Sequence, residues 1–177
     1  MKKNFNKKGI LFWITGLSGS GKTSIAKKII PFIKKKYGPT IHLDGDDLRK
    51  ILNFNGYSFK ERLSYSLIYA KIAKHLTDQG INVVFSLVAL INKPRSWNRK
   101  NIKKYVEIYI KADLEMIIKK GKKKIYQGKK NIVGVSIKPE FPIKPHISVN
   151  NTFDRSLKII SSELCVSISK LINKNKY

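Results

Sequence analysis

Cysteine is almost missing from this chain: Cys165 stands alone among 177 residues. A single thiol allows no intrachain disulfide and no cysteine-based zinc site. Acidic residues are scarce as well, 11 against 37 lysines and arginines, which leaves a formal net charge of +26. The three histidines, His42, His75 and His146, lack the mutual spacing of a metal site. No apolar run reaches the roughly 18 residues a membrane-crossing helix needs. Neither an internal repeat nor a linker-like stretch divides the chain, so the expectation is one domain over residues 1–177.

What the chain does contain is a glycine-rich octet, Gly16-Leu17-Ser18-Gly19-Ser20-Gly21-Lys22-Thr23, which satisfies the phosphate-binding pattern G-x-x-x-x-G-K-[ST]. The apolar run Ile10-Leu11-Phe12-Trp13-Ile14 before it reads as a strand buried on both faces. After it, Ser24-Ile25-Ala26-Lys27-Lys28-Ile29-Ile30 carries apolar positions at helical spacing. Strand, glycine loop and helix together are the context the pattern requires. Gly16, Gly19 and Gly21 let main-chain N–H groups turn inward on an anion, and the helix aims its positive end at the same point. Ser18, Ser20 and Ser24 flank that nest. Lys22 supplies a mobile charge for the β- and γ-phosphates of ATP, and the Thr23 hydroxyl is a ligand for Mg²⁺.

The excess of positive charge suggests two partners at first, nucleic acid or small anions. Lysines are spread from Lys2 to Lys176 with local clusters at 34–36 and 119–124, a distribution that argues against a nucleic-acid face and leaves a general attraction for anionic substrates. The basic segment before the first strand leads straight into it, so a cleavable signal is not expected, and the cytoplasm is the expected compartment.

Along the rest of the chain, strand-like and helix-like stretches alternate. The first helix should end near Lys36, kinked or interrupted by Pro31, with Tyr37-Gly38-Pro39 closing it. Strands are expected at Thr40–Leu43, Asn82–Val88, Val106–Ile110 and Ile147–Val149, and helices at Phe59–Gln79, from Pro94 to about Lys104, at Leu114–Lys119 and at Phe153–Ile172. This order predicts an α/β P-loop NTPase fold, a parallel sheet with helices on both faces. Residues 119–144 hold three glycines, two prolines and a dense basic cluster; they are expected to be too polar for core and to form a lid.

The second strand delivers Asp44-Gly45-Asp46 to its C-terminal end, where open α/β sheets place their chemistry. A kinase needs carboxylates there to hold Mg²⁺ and to accept the proton of the attacking hydroxyl. Asp44 and Asp46 are the candidates, with Asp47 expected to start the next helix and Arg49 placed to grip a substrate phosphate. Arg95 and Arg99, four apart, either face the acceptor or face solvent.

These residues resemble the adenylyl-sulfate kinases over about residues 9–150. The similarity lies in residues 15–23, in Leu43-Asp44-Gly45-Asp46-Asp47-Leu48-Arg49, in Gly56-Tyr57-Ser58 against the family's G-F-S, and in Arg62. Lys123, Ile125 and Tyr126 fall on the lid motif D-P-K-G-L-Y, Val133-Gly134-Val135 on F-T-G-I-D, and Pro142 and Pro145 on P-x-x-P-D. The resemblance implies transfer of the ATP γ-phosphoryl to the 3′-hydroxyl of a nucleotide, adenosine 5′-phosphosulfate (APS) in the family, with Mg²⁺. It implies roles for Lys22, Asp44 and Asp46 in catalysis and for Asp46, Arg49, Tyr57, Arg62, Ile132 and Lys123 at the acceptor, and a homodimer as a partner to test.

The departures all lie on the acceptor side. The family's E-N-x-R-R is replaced by Ser64-Tyr65-Ser66-Leu67-Ile68, and its S-P-F-R by Ala89-Leu90-Ile91-Asn92. Ile132 stands where the family has a phenylalanine stacked on the acceptor's adenine, Gly121 replaces the lid aspartate, and Ser136 the aspartate after F-T-G-I. A lost base stack is worth roughly 1–3 kcal/mol and a lost hydrogen bond to a charged group roughly 1.5–3, so an unchanged acceptor would bind on the order of a thousandfold more weakly. The resemblance therefore implies either the family reaction or a diverged kinase for another nucleotide, such as cytidine diphosphoramidate in surface-polysaccharide pathways. Two readings of other classes remain: a basic nucleic-acid-binding module with a vestigial P-loop, and a nucleotide-driven switch.

Overall fold

The computed structural model describes residues 8–121, Tyr126 and residues 130–175. Five strands, β1 (Leu11–Thr15), β2 (Thr40–Asp44), β3 (Asn82–Ser86), β4 (Tyr105–Lys111) and β5 (Ile147–Asn150), form one sheet in the order β2-β3-β1-β4-β5. Every pairing is parallel, with Trp13 opposite Phe85 on one side and Glu107 on the other. Among the described residues six α-helices accompany them: α1 (Lys22–Tyr37), α2 (Gly45–Ile51), α3 (Phe59–Asp78), α4 (Asn92–Asn101), α5 (Leu114–Lys119) and α6 (Leu157–Asn175).

The central position of β1 follows from its composition. All five of its residues are buried, and alternate side chains feed opposite layers. Phe12 and Ile14 join Ile25, Ile29 and Ile33 of α1 and Leu164 and Ile168 of α6. Leu11 and Trp13 join Tyr69 and Ala73 of α3 and Phe85 of β3. Each such side chain contributes about 1.5–3 kcal/mol when fully buried, so a strand apolar on both faces belongs in the middle of a covered sheet.

Pro31 does not break α1, which runs through it to Tyr37. The proline is exposed and so is Lys27, whose carbonyl loses its helical partner but can reach water, while Ile29 and Ile33 on the opposite face stay packed. Helix α2 starts at Gly45 rather than at Asp47, because Asp44 is its N-cap and accepts from the Asp46 amide. Helix α4 spans Asn92–Asn101 instead of continuing to Lys104, and α6 begins at Leu157, leaving 151–156 as a loop after β5. The segment expected to be too polar for core contributes to a third apolar cluster: Tyr126, Ile132 and Val133 are buried against Leu17, Leu90 and Ile117. Apolar residues within a basic segment still leave water when the neighbouring strand ends expose apolar surface.

Candidate active site

The loop after β1 is shaped by contacts as well as by glycine. A Cβ on Gly16 would lie 2.5 Å from the carbonyl oxygen of Ile110, so the loop can leave β1 beside β4 only without one. Gly21 is the N-cap of α1 in a left-handed conformation, φ 93°, and no side chain caps the helix there. The main chain at this helix start therefore faces the cavity with its positive dipole end. Two side chains from distant elements hold the loop: Tyr126 Oη donates to the carbonyl of Ser18 at 2.8 Å, and Asn151 Nδ2 to that of Ser20 at 2.9 Å. Lys22, 8% exposed, folds back so that its Nζ donates to the Leu17 carbonyl at 2.7 Å.

Asp44 is gathered into a tight acceptor role. Its Oδ1 accepts from the Asp46 amide at 2.9 Å, and its Oδ2 accepts from Thr23 Oγ1 and from Ser86 Oγ, each at 2.7 Å. Burial works to raise its carboxyl, but the hydrogen bonds from Thr23, Ser86 and Asp46 outweigh burial and hold it below the ordinary carboxylate value. Because Ser86 spends its hydrogen on Asp44, the contact of His42 Nε2 with Ser86 Oγ at 2.8 Å has the imidazole N–H as donor. Thr23 likewise spends its hydrogen on Asp44, which leaves its lone pairs for a cation. This donor set, one hydroxyl and one ionised carboxylate, fits a hard ion such as Mg²⁺. Among the described residues no group of three His, Cys, Asp or Glu is placed to hold a metal, so phosphates and water would complete such a shell.

A cavity of about 450 Å³ opens over this cradle. Ser18, Gly19, Gly21, Lys22, Thr23 and Ser24 form its floor, with Asp44 and Asp46 on one wall. Gly16 and Ser20 do not line it. The opposite wall escaped sequence reasoning: Lys120 at the end of α5 and Asn151, Phe153, Arg155 and Leu157 after β5. The available signal was topological, since the loop after the last strand of a parallel sheet opens on the same edge as the P-loop. Phe153 holds a left-handed φ of 64°, uncommon for an aromatic residue.

A second cavity of about 60 Å³ lies between α2, α3 and the segment after β3. Asp46, Leu87 and Val88 line both cavities, so Asp46 stands at their junction. Arg49 and Arg62 line the smaller one. Arg49 Nη1 donates to the carbonyls of Phe54 and Gly56, each at 2.7 Å, and its guanidinium lies 4.2 Å from the Tyr57 ring centroid and 5.0 Å from that of Tyr65. Arg62 donates from Nε to the Tyr57 carbonyl and from Nη2 to that of Asn131, both at 2.9 Å. The two arginines thus brace the turn before α3 while keeping other N–H groups in reserve.

Other sequence expectations fall elsewhere. Tyr57 is 45% exposed and stacks on Arg49 at the rim. Ile132 is buried in the third apolar cluster, and its neighbour Val133 reaches the smaller cavity instead. Lys123 lies outside the described residues. Arg95 faces neither acceptor nor solvent: it is buried, donates to the carbonyls of Ala89 at 3.1 Å and Glu140 at 2.6 Å, and pairs with Glu107. Arg99 pairs with the same Glu107 at 3.0 Å. A buried carboxylate on β4 requires such partners, so the paired arginines answer a structural demand.

A β1–glycine loop–α1 unit over a parallel sheet, with Asp44 and Asp46 lining the cavity above the loop, is the arrangement of a P-loop phosphotransferase. The chain belongs to the adenylylsulphate kinase family, whose sequence model matches residues 8–150. It is 37% identical over 164 residues to the cytidine diphosphoramidate kinase of Campylobacter jejuni, an alignment spanning 88% of this chain and 96% of that protein. It is 33% identical over 150 residues to a probable adenylyl-sulfate kinase of Pyrococcus abyssi, spanning 81% and 86% of the two chains. Its fold is similar to that of the Mycobacterium tuberculosis APS kinase solved with AMPPNP and APS, with a TM-score of 0.81, 25% identity, and coverage of 92% of this chain and 98% of that one. These likenesses make the protein a nucleotide kinase.

Proposed function

We propose that the chain transfers the γ-phosphoryl group of ATP to the 3′-hydroxyl of a nucleotide, and that the acceptor is a cytidine diphosphate derivative. The observation that carries the transfer is the place of Asp46 at the junction of the two cavities. A group there reaches an acceptor hydroxyl on one side and a terminal phosphate on the other. Main-chain N–H groups of residues 18–22 hold the triphosphate, and Lys22 swings from the Leu17 carbonyl to the β- and γ-oxygens. The 3′-oxygen attacks phosphorus, the bond from phosphorus to the β–γ bridging oxygen breaks, ADP leaves, and the hydroxyl proton passes to Asp46. Thr23 and Asp44 would hold Mg²⁺, directly or through water, and the charge it supplies there is neutralisation of the phosphate oxygens.

For the acceptor, support comes from the 37% identity to the cytidine diphosphoramidate kinase and from the lost adenine-side features. Ser64–Ile68 lacks the family arginines, and Ile132 is turned into a core cluster rather than offered as a base platform. Tyr57 and Arg49 remain as one flat wall, suited to a base smaller than adenine. APS is the second reading, favoured by the family match itself.

The test is an acceptor screen with purified protein, MgATP, and APS set against cytidine diphosphate derivatives, following ADP release and the mass of the product. We expect a phosphorylated nucleotide, turnover of about 1–100 per second on the right acceptor, and preference for the cytidine compound. Preference for APS would overturn the acceptor assignment alone. ADP release with no phosphorylated nucleotide would overturn the transfer. Lys22→Ala should abolish transfer on every acceptor while leaving the melting temperature within a few degrees.

A further inference from the structure

Tyr69 lies on α3, 5% exposed, with its ring packed between Phe54 at 6.0 Å and Phe85 at 5.6 Å. The ring belongs there, but the hydroxyl is anomalous. Its oxygen is buried and has no hydrogen-bond partner among the described residues. Leaving such a group unpaired costs about 1–3 kcal/mol, and phenylalanine would fill the same space without that cost. Orphaned polar groups of this kind call for a specific explanation, and an absent ligand is one.

The surroundings say what the ligand is. Tyr69 lines the same small cavity as Asp46, Arg49, Arg62 and Ser66. Burial raises the phenol above its ordinary value, so it stays protonated and able to donate. Arg49 has committed Nη1 to two carbonyls and Arg62 has committed Nε and Nη2, which leaves Nε and Nη2 of the first and Nη1 of the second. A phenol donor lining the same cavity as two arginines with donors in reserve selects an anionic oxygen. The cavity, about 60 Å³, takes a group of a few heavy atoms and not a whole nucleotide. Its outer wall is itself under constraint: Ala89 holds a left-handed φ of 25°, and its carbonyl is pinned by the buried Arg95. Strain at a cavity wall is kept where the surrounding structure over-determines it, typically around ligands.

We propose that the Tyr69 hydroxyl is a specificity-determining contact for the acceptor, donating a hydrogen bond to a phosphoryl oxygen of the acceptor's 5′-arm as that arm enters between Arg49 and Arg62. This rests on the nucleotide-kinase reading above and adds the group that distinguishes acceptors by their phosphate chain. Tyr69 takes no part in bond making; it acts on acceptor binding and orientation.

Tyr69→Phe removes one oxygen and nothing else. With the acceptor identified in the screen, kcat/KM for the acceptor should fall about ten- to a hundredfold, while KM for ATP stays within twofold and the melting temperature is unchanged or higher. The wild-type preference for the 5′-diphosphorylated acceptor over the same nucleoside without its phosphate arm should shrink by the same factor. Unchanged acceptor kinetics would mean that the hydroxyl meets only water, and would overturn the proposal. So would a parallel loss of ATP and acceptor efficiency with a lower melting temperature, which marks a packing role. A wild-type protein that phosphorylates no nucleotide overturns the kinase reading and this inference together, whereas an active wild type matched by an equally active Tyr69→Phe overturns this inference alone.

Discussion

At Gly21 two constraints meet in one residue. Its φ of 93° lies in the left-handed region, and a Cβ there would come within 2.9 Å of Asn151 Nδ2. That amide nitrogen is the one that holds the Ser20 carbonyl, so Gly21→Ala adds backbone strain and pushes away a clamp on the same loop. We expect a loss of about 1–3 kcal/mol in stability and at least about a tenfold weaker affinity for ATP, since the amides that face the phosphates move with the loop. Thermal unfolding with and without nucleotide measures both. Retained ATP affinity in a destabilised variant would show that the clamp and the cradle are independent. Asp44 shows the same economy: one carboxylate caps α2, receives the Thr23 and Ser86 hydroxyls, and remains ionised through those bonds.

Helix α3 supplies Arg62, Ser66 and Tyr69 to the lining of the small cavity, so in the proposed reaction it is the element that meets the acceptor. Its start is fixed by a capping box in which Ser58 Oγ accepts from the Glu61 amide and the Glu61 carboxylate accepts from the Ser58 amide at 2.9 Å. Ser58→Ala should cost about 1 kcal/mol. It should also raise KM for the acceptor several-fold with KM for ATP unchanged, because the turn it releases carries Tyr57 and not the P-loop. Equal changes in both constants would contradict this division of labour between elements. A separate tie joins Tyr126, with Ile132 and Val133 of the third apolar cluster, to the P-loop residues Leu17 and Ser18.

Across the whole molecule, the segment just before β5 is fastened to the sheet by a polar network around the buried Glu107. Glu107, 1% exposed, accepts from Arg99 Nη2 and from Tyr105 Oη, each at 3.0 Å, and its amide donates to His146 Nδ1 at 2.8 Å. Arg99 also donates to the Lys144 carbonyl at 2.9 Å. With Nδ1 accepting, the neutral imidazole carries its proton on Nε2, beside Arg99. Burial, and then the charge of Arg99, push His146 below its ordinary value of 6.5. The unfolded chain therefore binds a proton at a pH where the folded chain does not, so this contribution is full above about pH 6.5 and is lost as pH falls from there toward the lowered folded value. His42 is shifted the same way, by burial first. Unfolding free energy should decline between about pH 7.5 and 5.5, and His146→Asn, which cannot titrate, should make the decline shallower without removing the part due to His42. An unaltered slope in that variant would remove His146 from the account.

The sequence by itself determined the sheet, the cradle and the pair of carboxylates, because each depends on chain-local chemistry: an apolar run, glycines at fixed spacing, and acidic residues two apart at a strand end. Even so, local rules misplaced the helix start at Asp47, whose outcome depended on which carboxylate reached the first free amide, and left open an interruption at Pro31 that the water-facing side of α1 avoids. What only tertiary structure decided were the meetings of distant residues. Phe153 and Arg155 come to the nucleotide cavity from the far end of the chain, Arg95 is drawn inward by Glu107, and Asp46 lies where two cavities join. Such meetings depend on strand order and on which buried charge must find a partner, and neither is encoded in spacing along the chain.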